Sequence, residues 1–221
     1  MSLVGVVSGR TQHARENSSE QRAQNADIAG VHGEMFASCA TVVGMATWIV
    51  LLRGVNVGGA NRLSMADLRK AMTGLGHTDV STYIQSGNIV LTSPRADRVE
   101  LAAEICGAVN STFGLSVSAV LRTHNELRAA LAANPFEGEE STRVLIMFLS
   151  DAPAPEDLTL LERDRFLPDR FELVGSELYG LYPNGAGRSK MTLDYFEKRL
   201  RVRATGRNLN TVAKLIELSA G

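Results

Sequence analysis

The run Trp48-Ile49-Val50-Leu51-Leu52 decides the fold. Five consecutive apolar residues, followed directly by the Gly-rich stretch Arg53-Gly54-Val55-Asn56-Val57-Gly58-Gly59, suit a strand covered on both faces. Ser64 with Asp67 three residues on reads as a helix start. Met65, Leu68, Met72 and Leu75 then recur at helical spacing until Gly76 stops the pattern. Val80 to Gln85, a Ser86-Gly87 turn and Asn88 to Thr92 predict a β-hairpin. A second helix is predicted from Asp97 to Phe113, burying Val99, Ala102, Cys106 and Val109 and ended by Gly114, and Val117 to Leu121 supplies a fourth strand. The order is βαββαβ.

Thr123 caps a linking helix that runs to about Ala133, where Asn134-Pro135 breaks it, and the same order then starts again. Arg143 to Leu149 is an apolar strand. Pro153 and Pro155 lead into a helix with Leu158 and Leu161, and Phe171 to Val174 with Leu178 to Tyr182 form a hairpin around Gly175. A helix from Lys190 to Leu200 buries Leu193, Phe196 and Leu200, a short strand follows at Arg201 to Ala204, and a last helix uses Val212, Leu215 and Ile216. Two successive βαββαβ units predict an α+β chain of two tandem ferredoxin-like domains, or alpha-beta plaits. The first covers residues 45–135 with the linking helix, and the second covers 136–221 with an added C-terminal helix. Residues 1–44 are rich in Gln, Asn and Ser, have Phe36 as their one aromatic residue and keep neither period. They are expected to be a poorly ordered extension or to reflect a mis-assigned start, with Met35 and Met45 as alternatives.

With 221 residues, 44% of them hydrophobic and 21% charged, the chain has material for a substantial core and is not disordered, collagenous or membrane-spanning. Its 23 basic and 24 acidic residues give a net charge of −1, so no overall field draws it to nucleic acid or to an anionic membrane. Two cysteines, Cys39 and Cys106, make neither a disulfide framework nor a four-thiolate zinc site. No targeting segment is evident, and the expected compartment is the reducing cytoplasm. No cofactor or metal is expected. His124 and Glu126 imitate the H-x-E of zinc deaminases, but no P-C-x-x-C follows. Gly185 to Thr192 misses the Walker pattern because Arg188-Ser189 replaces the glycine before Lys190, and neither G-x-S-x-G nor H-E-x-x-H occurs. Cys106, Met191 and Tyr195 read as packing, His77 as a turn residue, and Glu137, Glu139 and Glu140 as a solvated loop.

Four segments carry a resemblance: LLRGVNVGG (Leu51 to Gly59), YIQSGN (Tyr83 to Asn88), PNGAGRSKMT (Pro183 to Thr192) and TGRNLNTVAKL (Thr205 to Leu215). In this order over residues 45–221 they resemble the bacterial domain-of-unknown-function family DUF1697. The resemblance implies two small alpha-beta plait subdomains and no known activity. Two positions depart from the family's pattern. Leu209 stands where such proteins usually have Trp, and Ala60 follows the double glycine where a larger polar or basic residue is common. No stacking or charge role is carried over to either.

In a split βαβ sheet the loop after the first strand and the hairpin turn share one end, as do the loops after the third and fourth strands. The first domain therefore gathers Arg53, Asn56, Gly58 and Gly59 beside Gln85, Ser86 and Asn88. The second gathers Asn184, Gly187, Arg188, Ser189 and Lys190 beside Thr205, Arg207 and Asn208. If these ends face each other, they line a cleft between the domains. Helix N-termini, glycines and arginines in such loops favour anions. The same loops also suit plain turn and cap geometry. Residues 183–221 hold eight basic and three acidic residues, net +5, while 136–182 hold four basic and eleven acidic, net −7. The leading expectation is a protein that binds a phosphorylated or otherwise anionic ligand, either a nucleotide-like small molecule or a nucleic-acid backbone gripped by the loops rather than by the sheet face. The alternatives are an enzyme on a small anionic substrate, which lacks an evident general base, and a structural or protein-interaction module whose loops only bind the domains together.

Overall fold

The computed structural model describes residues 44–57 and 62–220. The expected N-terminal extension, apart from Gly44, lies outside the described residues, and so do Gly58, Gly59 and Ala60. The first half runs β1 (Ala46–Leu52), α1 (Met65–Gly74), β2 (Thr78–Tyr83), β3 (Asn88–Ser93), α2 (Arg98–Phe113), β4 (Ala119–Arg122) and α3 (His124–Ala132). The second runs β5 (Val144–Leu149), α4 (Pro155–Leu158), β6 (Arg170–Val174), β7 (Glu177–Leu181), α5 (Leu193–Leu200), β8 (Ala204–Asn208) and α6 (Leu209–Leu218). Each half has one four-stranded antiparallel sheet, ordered β2-β3-β1-β4 and β6-β7-β5-β8. Among the described residues no helix is long and apolar enough to cross a membrane.

Local chemistry sets the element ends. The Ser64 hydroxyl accepts the Asp67 N–H at the start of α1, and the Asp97 carboxylate accepts the N–H groups of Val99 and Glu100 at the start of α2. Gly114, in the left-handed region, ends α2. Thr123 and Glu126 form a reciprocal capping box on α3.

Period-two alternation along β1 divides its apolar run between two cores. Trp48, Val50 and Leu52 join Leu68 and Met72 of α1 and Leu101, Ile105 and Val109 of α2. Ile49 and Leu51 face the other way and meet Val144, Ile146 and Phe148 of β5, Tyr179 and Leu181 of β7, Leu127 of α3 and Leu215 of α6. The two sheets therefore share this middle core. Met147 and Leu149, on the far side of β5, complete a third core with Phe196 and Leu200 of α5. Each fully buried Leu or Ile here contributes roughly 1.5–3 kcal/mol. The Tyr179 hydroxyl donates to the Ala130 carbonyl at 2.7 Å and fastens β7 to α3, and burial pushes its pKa up to about 12.

Three expectations need correction. The buried stripe of α2 is Leu101, Ile105 and Val109, with Val99 75% exposed and Cys106 half-buried, because the larger Leu and Ile side chains take the core and turn the helix by one position. The crossover after β5 holds the single turn α4 and a 3₁₀ turn at Arg163–Phe166 in place of one helix, with Leu158 and Leu160 exposed. It is buried through Phe166 and Leu161, which join the third core, and through Asp157, whose carboxylate accepts from Arg201 at 2.7 Å. Finally, β8 begins at Ala204 rather than ending there, so Thr205, Arg207 and Asn208 are strand residues and not a loop.

His77 is 2% exposed, and neither ring nitrogen has a hydrogen-bond partner. Glu104 Oε2 lies 3.7 Å from Nε2 but is itself held by Arg95. Burial lowers the His77 pKa below 6.5, outweighing the attraction of Glu104. The unfolded chain therefore takes up this proton at higher pH than the folded one, and the stability present above about 6.5 is lost as pH falls through the lower folded value. A His77→Leu variant should show a smaller drop in Tm between pH 7.5 and 5 than the unaltered protein, measured by calorimetry. Equal drops would show that the ring does not titrate on unfolding.

Candidate functional site

The polar residues singled out in the sequence fall into two separate groups. The first is a buried joint between the halves, centred on Arg207, which is 7% exposed. All five of its N–H groups find acceptors. Nε donates to Asn88 Oδ1, one terminal nitrogen to Thr205 Oγ1 at 2.7 Å and the Gly206 carbonyl at 2.8 Å, and the other to the Leu52 carbonyl at 2.9 Å and the Ser86 carbonyl at 3.0 Å. Thr205 also donates its hydroxyl proton to the Leu52 carbonyl at 3.3 Å. None of these acceptors carries a formal charge, and full burial lowers the Arg207 pKa from 12.5 to about 10, which still leaves it charged at neutral pH.

The hairpin turn is shaped to meet it. Gly87 sits at φ +71°, and a Cβ there would lie 2.8 Å from Leu52 Cβ, so only glycine lets the turn approach the end of β1 this closely. The Gly87 carbonyl accepts the Leu52 N–H at 2.9 Å, and the Asn88 amide donates to the Tyr83 carbonyl and Ser86 Oγ. Asn56 closes the loop after β1, donating to the Leu63 and Gln85 carbonyls and accepting the Leu63 N–H. The Gln85 side chain is exposed. Arg53 crosses to the second half, pairing with Asp194 and, at 2.7 Å, with Glu197 of α5.

A residue that the sequence reading passed over completes the joint. Arg122, 3% exposed, donates to Glu177 at 3.0 Å, to the Leu149 carbonyl at 2.7 Å and to its neighbour's carbonyl, and its guanidinium lies over the Phe148 ring. Its only advance signal was position: it directly follows the predicted strand Val117 to Leu121.

The second group lines a groove of about 350 Å³ on the second half. Asn184, Gly185, Arg188, Ser189 and Lys190 form one side. Arg165, Phe166, Leu167, Pro168 and Asp169 form the other. Gly187 lies in the 3₁₀ turn between them, Ala186–Arg188. Ser189 donates its hydroxyl proton to Asp169 and accepts the Met191 N–H, which ties the two sides together. Asn208, expected nearby, instead caps α6 by accepting the Thr211 N–H at 2.9 Å.

The expected cleft formed by both domain ends is thus replaced by the joint and this groove, which share no residue. The reason is the position of β8: as a strand paired to β5, it turns Thr205 and Arg207 into the middle layer rather than out of a loop. Arg143, Arg163, Arg165, Arg170, Arg199 and Arg201 of the second half each have a carboxylate within salt-bridge distance. Two of these pairs, Asp157 with Arg201 and Glu162 with Arg199, join the acidic and basic segments and cancel part of the charge division. Arg188 and Lys190 are exposed, and their side chains have no ion pair or hydrogen bond among the described residues. No three His, Cys, Asp or Glu side chains gather as a metal site among those residues.

The family model for the protein of unknown function DUF1697 matches residues 45–179, a segment that includes the first two quoted motifs and stops short of the other two. The conserved bacterial protein SP0830 from Streptococcus pneumoniae has a similar fold, with a TM-score of 0.61 and 24% identity over 80% of this chain and 99% of that one. None of the curated proteins matches.

Truncating Arg207 leaves the Ser86 carbonyl and Asn88 Oδ1 buried without their donor. At roughly 1–3 kcal/mol per unsatisfied buried group, Arg207→Met should lose about 3 kcal/mol or more of stability in urea denaturation. Arg207→Lys, with three donors in place of five, should rescue little of it. A loss below about 1 kcal/mol for both variants would show that the joint is not limiting for stability.

Proposed function

The chain belongs to the DUF1697 family of proteins of unknown function, and from that premise we propose that it binds a small anionic ligand in the groove between Arg165 and Lys190. The observation that carries this reading is the pair Arg188 and Lys190, two cations on a glycine-containing loop whose side chains have no partner among the described residues although carboxylates satisfy most arginines around them. A volume of about 350 Å³ lies at the lower end of small-molecule sites, which favours a metabolite-sized anion over a nucleic-acid backbone. The polar residues of the first half and Arg207 act in this reading as the joint that fixes the groove's scaffold. Arg207 has no N–H left to offer a ligand.

The strand orders support reading the halves as two tandem ferredoxin-like units, about 45–135 and 136–221, with α6 as an added helix on the second. In this reading the ligand is held by side chains rather than by the positive end of a helix. The N-terminus of α5 is capped by Thr192, and that of α6 by Asn208.

Titration calorimetry of the full chain with inorganic phosphate tests the proposal. Arg188→Ala and Lys190→Ala should each weaken binding about tenfold, as expected for a charge-assisted hydrogen bond of some 1.5 kcal/mol. Tm without ligand should stay nearly constant, because both side chains are exposed. Affinity should also fall as ionic strength rises. Phosphate binding that is absent, or that survives both substitutions unchanged, would overturn the proposal.

A further inference from the structure

The two sides of the groove differ in chemistry, and the difference specifies more than an anion. Phe166, Leu167 and Pro168 make one wall apolar, and Leu167 is 62% exposed there. This wall is braced. The Phe166 ring packs edge-on against Tyr195 at 4.7 Å, and the Arg165 guanidinium lies over both rings at 5.7 and 5.8 Å. Arg165 is also paired with Glu162 at 2.9 Å, so it serves as a plank of the wall rather than as a free charge.

The opposite side presents the two unpaired cations, Arg188 and Lys190, which together match a dianion. Asp169, at the end of the apolar side, accepts the Ser189 hydroxyl proton and so is engaged in tying the two sides together. The charges of Arg188 and Lys190 draw an anion to their side of the groove, which leaves Leu167 and Pro168 to meet whatever is attached to it. A phosphate monoester carries nearly two charges above pH 7, because its second pKa is about 6, and it has one ester oxygen from which a non-polar group can extend.

We infer that the ligand is an organic phosphate monoester with a compact apolar or aromatic group next to its phosphate, a specificity that rests on the anion-binding reading of the same groove. Its phosphate meets Arg188 and Lys190, and its apolar group covers Leu167.

Calorimetry of the full chain at pH 7.5 with inorganic phosphate, methyl phosphate and phenyl phosphate tests this. Affinity should rise along the series, with phenyl phosphate at least tenfold tighter than inorganic phosphate. Leu167→Ser should bring phenyl phosphate to within about threefold of inorganic phosphate and leave the latter unchanged, whereas Arg188→Ala should weaken all three. If all three probes bind equally to the unaltered chain and all weaken in Arg188→Ala, the ester specificity is overturned while the anion site stands. If none binds, both fall. The series on the unaltered chain decides the matter even if Leu167→Ser fails to fold.

Discussion

A guanidinium stripped of water must find an acceptor for each of its five N–H groups, and at Arg207 three of those acceptors belong to the other half of the molecule. That demand fixes where the two sheets meet. The Leu52 carbonyl is the last of β1, Ser86 and Asn88 belong to the adjoining hairpin, and a small displacement of either half would break several bonds at once. Apolar contact in the middle core is tolerant of sliding, whereas a fork of directed donors is not. Hydrophobic burial therefore supplies the association of the sheets, and Arg207 supplies their register.

The same device runs in the opposite direction. Arg122 of β4 lies opposite Ile49 of β1, as Arg207 of β8 lies opposite Ile146 of β5. Arg122 binds the last carbonyl of β5, Leu149, and Arg207 binds the last carbonyl of β1, Leu52. Their Nε partners correspond too, since Glu177 and Asn88 are the first residues of β7 and β3. Each half thus holds the end of the other's central strand. The chemistry differs at one point: Arg122 has a carboxylate and Arg207 an amide. Glu177 is partly open to solvent, while Asn88 is fully enclosed and must also donate to the Tyr83 carbonyl and to Ser86. A carboxylate has no proton to give those acceptors, so the enclosed position needs an amide, and the Arg207 charge is stabilised by dipoles alone.

Much of this was legible in the sequence wherever apolar periodicity and caps carry the signal. The unbroken run at 48–52, the Ser64 and Thr123 caps and the Ser86-Gly87 turn all correspond to observed elements. Reading failed at β8, where Thr-Gly-Arg-Asn has the look of a loop. Its burial is achieved by hydrogen-bonded polar groups, which a hydrophobic pattern does not register. The same blindness hid Arg122. The polar motifs were assigned a common purpose, because a sequence does not say whether an arginine's partners come from its own fold or from a ligand.

That distinction is the step from fold to function. At Arg207 every donor has an acceptor within the chain, so its role is complete without anything added. Asn208 and Thr192 likewise fill the helix starts that a bound anion would otherwise satisfy. What the fold leaves unfilled is the loop at 184–190, anchored through Ser189 to Asp169 on one side and leading into α5 on the other. Because α5 also carries the carboxylates that hold Arg53, the joint and the groove are built on one helix. A rigid backing is what two free side-chain cations require: a loop fixed at both ends loses less entropy on gripping a ligand than one that must first be ordered.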